Sequence, residues 1–245
     1  MNYDTGMSKK QENFTLLNGR VQMVRGVYNP TSDAVWLAAY VPRKPKNVLE
    51  VGIGTGGVAL CLLAHYPDTP IKGIDISDEM LADCKKNAEL NNANIELENQ
   101  NIYKWSTPTR YDLVITNPPY FIGTPGQKNA QAHHNADFER WIKRCCARVD
   151  SNGYICVISD MLCINKTLSV LNDRHFGDVQ IFPLFGADKL TAERVLIRAK
   201  QASNTGATIY AGVSMNNKAV LRDGMTVNEL LDAQKNKTAQ KKVND

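Results

Sequence analysis

Two short runs in the chain combine residue types suited to holding a ligand and doing chemistry on it: EVGIGTGG at residues 50–57 and DLVITNPPY at residues 112–120. In the second run, Pro118 and Pro119 fix φ and donate no hydrogen bonds, so the turn is stiff and its carbonyls are free. Asn117 adds a side-chain carbonyl beside the backbone carbonyl of Pro118. Together these two oxygens can accept both hydrogens of a planar –NH2 group. Tyr120 offers a flat face on which the ring bearing that amine can stack. An amine conjugated to a ring is a poor nucleophile. Two acceptors draw its nitrogen toward tetrahedral geometry and stabilise the positive charge that develops there, so positioning can replace a strong base.

The first run supplies the complementary half. Gly52, Gly54, Gly56 and Gly57 permit a tight turn and let a ligand approach where a Cβ would collide. Asp75, with Ile76 beside it, lies 18 residues past Gly57, in range to bond ribose hydroxyls. A glycine-rich turn alone fits a bare structural turn, and this one also satisfies the GxGxxG of dinucleotide binders. An acid at Glu50 and an additional glycine give the acid-x-Gly-x-Gly-x-Gly form typical of S-adenosylmethionine sites. Asn101 and Ile102 stand after a weak third strand, where Asn101 can accept a bond from an adenine amino group; Glu98 and Asn99 are alternatives in a shifted register.

Both runs need a scaffold that brings strand ends together. Apolar segments at 47–52, 71–76, 94–98, 111–116, 154–159, 179–185 and 194–200 read as strands. Helical patterns fall at 32–41, 58–66, 78–92 and 136–149. Ser77 stands at a helix N-cap with Asp78 and Glu79 in the first turn. Thr31, Ser32 or Asp33 caps the helix before the first strand. Strands alternating with helices predict an α/β, Rossmann-like, mostly parallel seven-stranded sheet with helices on both faces and a C-terminal antiparallel hairpin. Ligands of such sheets bind at the carboxyl ends of the strands, where both runs fall.

Composition narrows the classes. At 245 residues, 43% hydrophobic and 22% charged, the chain can bury one sizeable core, which excludes collagen, coiled-coil and mostly disordered readings. No stretch approaches the roughly 20 apolar residues of a membrane helix, and the polar first twenty residues lack a secretory apolar region. The expectation is a cytoplasmic chain with no membrane partner. Six cysteines, at 61, 84, 145, 146, 156 and 163, show no CxxC spacing and read as buried free thiols. His133 and His134 lack a third ligand at suitable spacing, so no metal is expected. Residues 1–46 carry 7 basic and 3 acidic residues, 47–197 carry 14 and 18, and 198–245 carry 8 and 4. Basic ends around an acidic middle suit a phosphate backbone or solvated tails equally. Lys128, Arg140, Lys143 and Arg144 are candidate RNA contacts or parts of a solvated helix face. Nothing in the sequence sets an oligomeric state.

With these motifs in place, residues 47–120 resemble the amino-methylating class I S-adenosylmethionine-dependent methyltransferases, which pair the glycine turn with Asn-Pro-Pro-Tyr. The resemblance implies S-adenosylmethionine as cofactor, held by Glu50, Gly52, Gly54, Gly56, Asp75, Ile76, Asn101, Ile102 and Asn117. It implies catalysis by Asn117, Pro118 and Tyr120. In the families concerned, Tyr at the fourth position accompanies adenine-N6 and glutamine-N5 acceptors more than guanine-N2. The segment 16–41, with Gly19-Arg20, Asp33 and VWLAAYV, resembles the bacterial adenine-N6 methyltransferases acting beside the anticodon of a valine tRNA. That likeness runs through NPPYFIGT and AERVLIRAK, over roughly residues 14–200, and departs at Asn29-Pro30-Thr31 and at Asn101. It implies tRNA as partner, with 1–46 a basic lead-in and cofactor lid, 47–200 the methyltransferase domain and 201–245 a partly flexible extension. A release-factor glutamine N5-methyltransferase and a non-catalytic S-adenosylmethionine-binding RNA module are the alternatives; a binding module has no need of an amine clamp.

Overall fold

The computed structural model describes residues 13–119, 128–187 and 190–244; the side chains of 128–136 and 237–244 are outside the description. The chain opens with an antiparallel hairpin of β1 (Asn13–Leu16) and β2 (Val21–Val24), followed by helix α1 (Ser32–Ala39). Then come β3 (Val48–Val51), α2 (Gly57–His65), β4 (Ile71–Asp75), α3 (Asp78–Leu90), β5 (Ile95–Asn99) and β6 (Tyr111–Thr116). The second half holds α4 (Lys128–Cys146), β7 (Val149–Asp160), α5 (Ile164–Asp173), β8 (Phe176–Phe185) and β9 (Ala192–Gln201). Two short strands, β10 (Thr208–Ile209) and β11 (Val213–Ser214), precede α6 (Lys218–Leu221) and α7 (Val227–Asn244).

The sheet order is β10-β8-β9-β7-β6-β3-β4-β5, with β11 also on β8, nine strands in all. Seven are those the apolar pattern predicts. The two additions are two-residue strands, too short for any periodicity to register. Strands β7, β6, β3, β4 and β5 run parallel, and β9 enters antiparallel between β7 and β8. The order reverses between β3 and β6, so the loops after them part and leave a crevice at the carboxyl edge.

Two apolar layers cover the sheet. On one face, Trp36 and Tyr40 of the α1 segment pack with α2 against Phe182, all fully buried or nearly so. On the other, Phe138, Ile142 and Cys145 of α4 pack with Leu171 of α5 against Val114, Val157 and Ile197. Local signals fix where helices begin. Thr31 caps α1, its hydroxyl accepting from the Asp33 amide, and Ser77 caps α3, accepting from Met80. Residues 235–244, within the extension expected to be partly flexible, continue α7. All six cysteines are free, and five are buried.

The C-terminal part is tied on by a buried cation. The Arg198 guanidinium lies 4.7 Å from the Tyr40 ring centre and donates to Gln180 Oε1, the Tyr40 carbonyl and Asn228 Oδ1 at 2.7–3.0 Å. Gln180 Oε1 also accepts from the Tyr210 hydroxyl. Removing this cation strands several buried acceptors at once. Arg198→Leu is therefore expected to cost about 3 kcal/mol in urea denaturation. A cost below about 1 kcal/mol would mean that water replaces the guanidinium.

Candidate active site

At the carboxyl edge, the ends of β3, β4, β5 and β6 surround a cavity of about 570 Å³. Its wall includes Glu50, Gly52, Gly54, Asp75, Ile76, Asn101, Ile102, Asn117 and Pro118, so it collects nearly every residue singled out by sequence. Gly56 does not line it. That glycine is the left-handed N-cap of α2 and faces Cys84 Sγ on α3. Tyr120 lies outside the described residues, as do the side chains of Lys128, His133 and His134.

The glycine turn adopts a conformation that side chains resist. Gly52 has φ of +73°, and a Cβ there would stand 3.1 Å from the Trp141 ring. At Gly57, a Cβ would meet Pro30 at 2.6 Å, so this glycine lets the segment before α1 lie directly on the first turn of α2. Tyr28, Pro30, Thr31 and Ala34 consequently form one side of the cavity.

Asp75 is a brace as well as a wall. Its carboxylate accepts from the Gly54 amide at 2.9 Å and the Ser77 amide at 3.0 Å, locking the turn to the end of β4. Asn101 Oδ1 accepts from the Tyr103 amide at 2.9 Å, and its backbone carbonyl accepts from Lys104 and Trp105. Its side-chain carbonyl thus already shapes the turn that presents Ile102 and Tyr103. Glu98 bonds Lys72 and Gln100, and Asn99 donates to Asp78, so neither alternative replaces Asn101 on the cavity wall.

Three buried side-chain oxygens on this wall lack a hydrogen-bond partner among the described residues: Glu50 Oε2, Thr55 Oγ1 and Asn117 Oδ1. Buried acceptors of this kind are costly unless a ligand or water satisfies them. Burial pushes the Glu50 carboxyl well above its ordinary value of 4.5, with Asp75 adding to the rise and the Ala59 amide opposing it. A carboxyl raised on folding stays protonated where the unfolded chain has ionised. Stability is therefore greatest below about 4.5 and falls as pH rises toward the folded value. Glu50→Gln removes this dependence. Without added cofactor, the variant should melt about 3 °C or more above the parent at pH 8, the gap closing toward pH 4; equal melting at pH 8 would contradict it.

Several contributors escaped sequence reading. Trp141 of α4 lines the cavity, and its indole N–H donates to Thr116 Oγ1 at 3.0 Å. Tyr103 meets Trp141 edge to face at 6.1 Å and carries Arg140 on its ring at 4.9 Å. Tyr28 and Gln100 also line the wall. In correction of the RNA-contact reading, the Arg144 guanidinium donates to the carbonyls of Ile102 and Trp105, holding the cavity wall from behind. Lys143 sits 3.9 Å from Glu139. No group of metal-binding side chains occurs among the described residues, and no described helix is long and apolar enough to cross a membrane.

The solved structure of a predicted O-methyltransferase from Agrobacterium tumefaciens superposes with a TM-score of 0.62 at 23% identity, covering 75% of this chain and 88% of that one. The fold is that of the class I S-adenosylmethionine-dependent methyltransferases. The cofactor this fold implies fits the residues present: a glycine turn open to close approach, an acid at each of two strand ends, and acceptors on one cavity wall that lack partners among the described residues. A tRNA1(Val) (adenine(37)-N6)-methyltransferase of Proteus mirabilis is 28% identical over 160 residues, 61% of this chain and 64% of that protein. A putative protein N5-glutamine methyltransferase of Methanocaldococcus jannaschii is 33% identical over 103 residues, 42% of this chain and 51% of that protein. The chain thus spans less than two thirds of the length of either relative. The model of the methyltransferase small domain matches residues 32–182, from the first residue of α1 through both site turns to β8, and the chain belongs to that family.

Proposed function

We propose that the chain transfers a methyl group from S-adenosylmethionine to the exocyclic N6 amine of an adenine in tRNA, in the anticodon loop of a valine tRNA. The observation that carries this reading is Asn117 Oδ1, a buried acceptor without a partner among the described residues, at the end of β6 beside the glycine turn. An oxygen so placed is completed by an N–H donor. The neighbouring Pro118 carbonyl takes the second hydrogen, and Tyr120 stacks on the base once it is extruded from the loop.

Glu50, Gly52, Gly54, Asp75, Ile76, Asn101 and Ile102 hold the cofactor, and residues 28–31 of the lead-in close over it. Bound S-adenosylmethionine supplies a methyl group on a sulfonium, an electrophile that needs no further activation. Asn117 and the Pro118 carbonyl orient the amine lone pair toward that methyl and stabilise the charge growing on nitrogen. With the cofactor bound, the amine held by Asn117 and the Pro118 carbonyl would take the methyl, leaving S-adenosylhomocysteine, and would shed one proton to solvent. No general base is required of the site.

The Proteus relative supports adenine as acceptor, and the basic ends of the chain suit a nucleic-acid partner. The Methanocaldococcus relative supports a second reading, in which the same oxygens grip a glutamine amide. A stem-loop with hypoxanthine in place of the target adenine separates amine recognition from general RNA affinity, because it lacks the exocyclic amine. Transfer should vanish on that substrate while binding persists; undiminished transfer would place the methyl elsewhere.

A further inference from the structure

We propose that Trp141 is a positioning residue for methyl transfer, holding the glycine turn and the amine clamp at a fixed separation. The proposal rests on the transfer reading above and adds a residue that neither sequence motif contains.

The geometry is a short chain of bonds across two strand ends. Val51 and Thr116 are register partners on β3 and β6. Thr116 is fully buried, and its hydroxyl donates to the Val51 carbonyl at 2.8 Å. A hydroxyl has one hydrogen, so with it committed the oxygen is left to accept, and it accepts the Trp141 indole N–H at 3.0 Å. The same indole lies over Gly52, where a Cβ would come within 3.1 Å of its ring. One side chain therefore touches the first residue of the cofactor turn and bonds the residue immediately before Asn117. Tyr103, from the turn that presents Ile102, closes against its edge.

This arrangement exceeds what core filling requires. A filler needs the ring's volume alone, whereas transfer needs nucleophile and methyl aligned within fractions of an ångström. Trp141→Phe keeps most of the volume and deletes the N–H. Thr116→Val keeps the shape and deletes both the acceptor for Trp141 and the donor to the Val51 carbonyl. If Trp141 positions the two halves, each variant lowers kcat about tenfold while KM for S-adenosylmethionine stays within about twofold. The double variant falls no further than Thr116→Val alone, because that substitution already breaks the bond Trp141 makes. Thr116→Ser, which retains the hydroxyl, restores most of the loss.

A second readout needs no acceptor. Trp36 and Trp105 are buried at 0% and 6% exposure, so among the three tryptophans Trp141 is the one on the cavity wall. Titrating S-adenosylhomocysteine should change the intrinsic fluorescence of the parent. That change should disappear in Trp141→Phe while calorimetric affinity stays within about threefold. In Thr116→Val the unliganded emission should shift as the indole loses its partner. Parental kcat in both single variants, or losses that multiply in the double variant, would overturn the proposal. So would a fluorescence response that survives in Trp141→Phe. Kinetics run on whichever acceptor the parent methylates, so a wrong acceptor shows in the parent and a wrong role for Trp141 shows in the variants.

Discussion

Replacing Asn117 with alanine should lower methyl transfer by about 10³-fold or more and leave affinity for S-adenosylhomocysteine within about threefold. The size follows from what the side chain does in the proposed reaction. Its Oδ1 is a preorganised acceptor at the point where positive charge develops, and deleting a single such group in a water-poor site commonly costs 10²–10³ in rate. Here the loss also releases the amine from one of its two anchors, which adds a misalignment cost. Cofactor affinity should survive because in the proposed complex the cofactor is held by the glycine turn, Asp75 and the Ile102 turn, which line the cavity independently of the Asn117 side chain. Isothermal titration and single-turnover kinetics on the same preparation separate the two quantities. Equal loss of binding and rate would mean that Asn117 is chiefly a cofactor ligand.

Asp75→Ala should produce the opposite pattern, weakening S-adenosylhomocysteine binding about 100-fold. The carboxylate has two tasks. It accepts from the amides of Gly54 and Ser77, which fixes the turn, and in the proposed complex it accepts from ribose hydroxyls. Hydrogen bonds to a charged group contribute about 1.5–3 kcal/mol each, so losing the ribose contacts alone accounts for the effect. Asp75→Asn retains a side-chain carbonyl and should recover part of it. Affinity within threefold of the parent in the alanine variant would assign Asp75 to the scaffold alone.

The parts of the site legible in the sequence are those set by local chemistry. Consecutive prolines after an apolar run dictate a strand end with a stiff turn, and Asn117 stands where that reasoning places it. The glycine turn, the strand after it and the Ser77 cap are likewise decided within a few residues. What escaped depends on contacts between distant segments. Trp141 shares the helical stripe of Phe138, Ile142 and Cys145, and only the packing of α4 across β6 and β7 turns it toward the cavity. Arg144 looks like a solvated cation in sequence, yet the turn after β5 brings two carbonyls to it. Arg198 sits in an apolar run, and its partners come from β8, the end of α1 and α7. Gly56 matches the glycine motif, but backbone geometry assigns it to capping α2 against Cys84.

The most direct test of the central claim gives the purified protein methyl-labelled S-adenosylmethionine with unmodified tRNA, release factor and duplex DNA in separate reactions. Labelled nucleic acid is then digested to nucleosides. The account predicts label in tRNA, recovered as N6-methyladenosine and abolished by Asn117→Ala. Label recovered in the release factor, or as N2-methylguanosine, would contradict the adenine assignment. Cofactor binding with no transfer to any of the three would contradict the account of Asn117 as an amine clamp at work in these substrates.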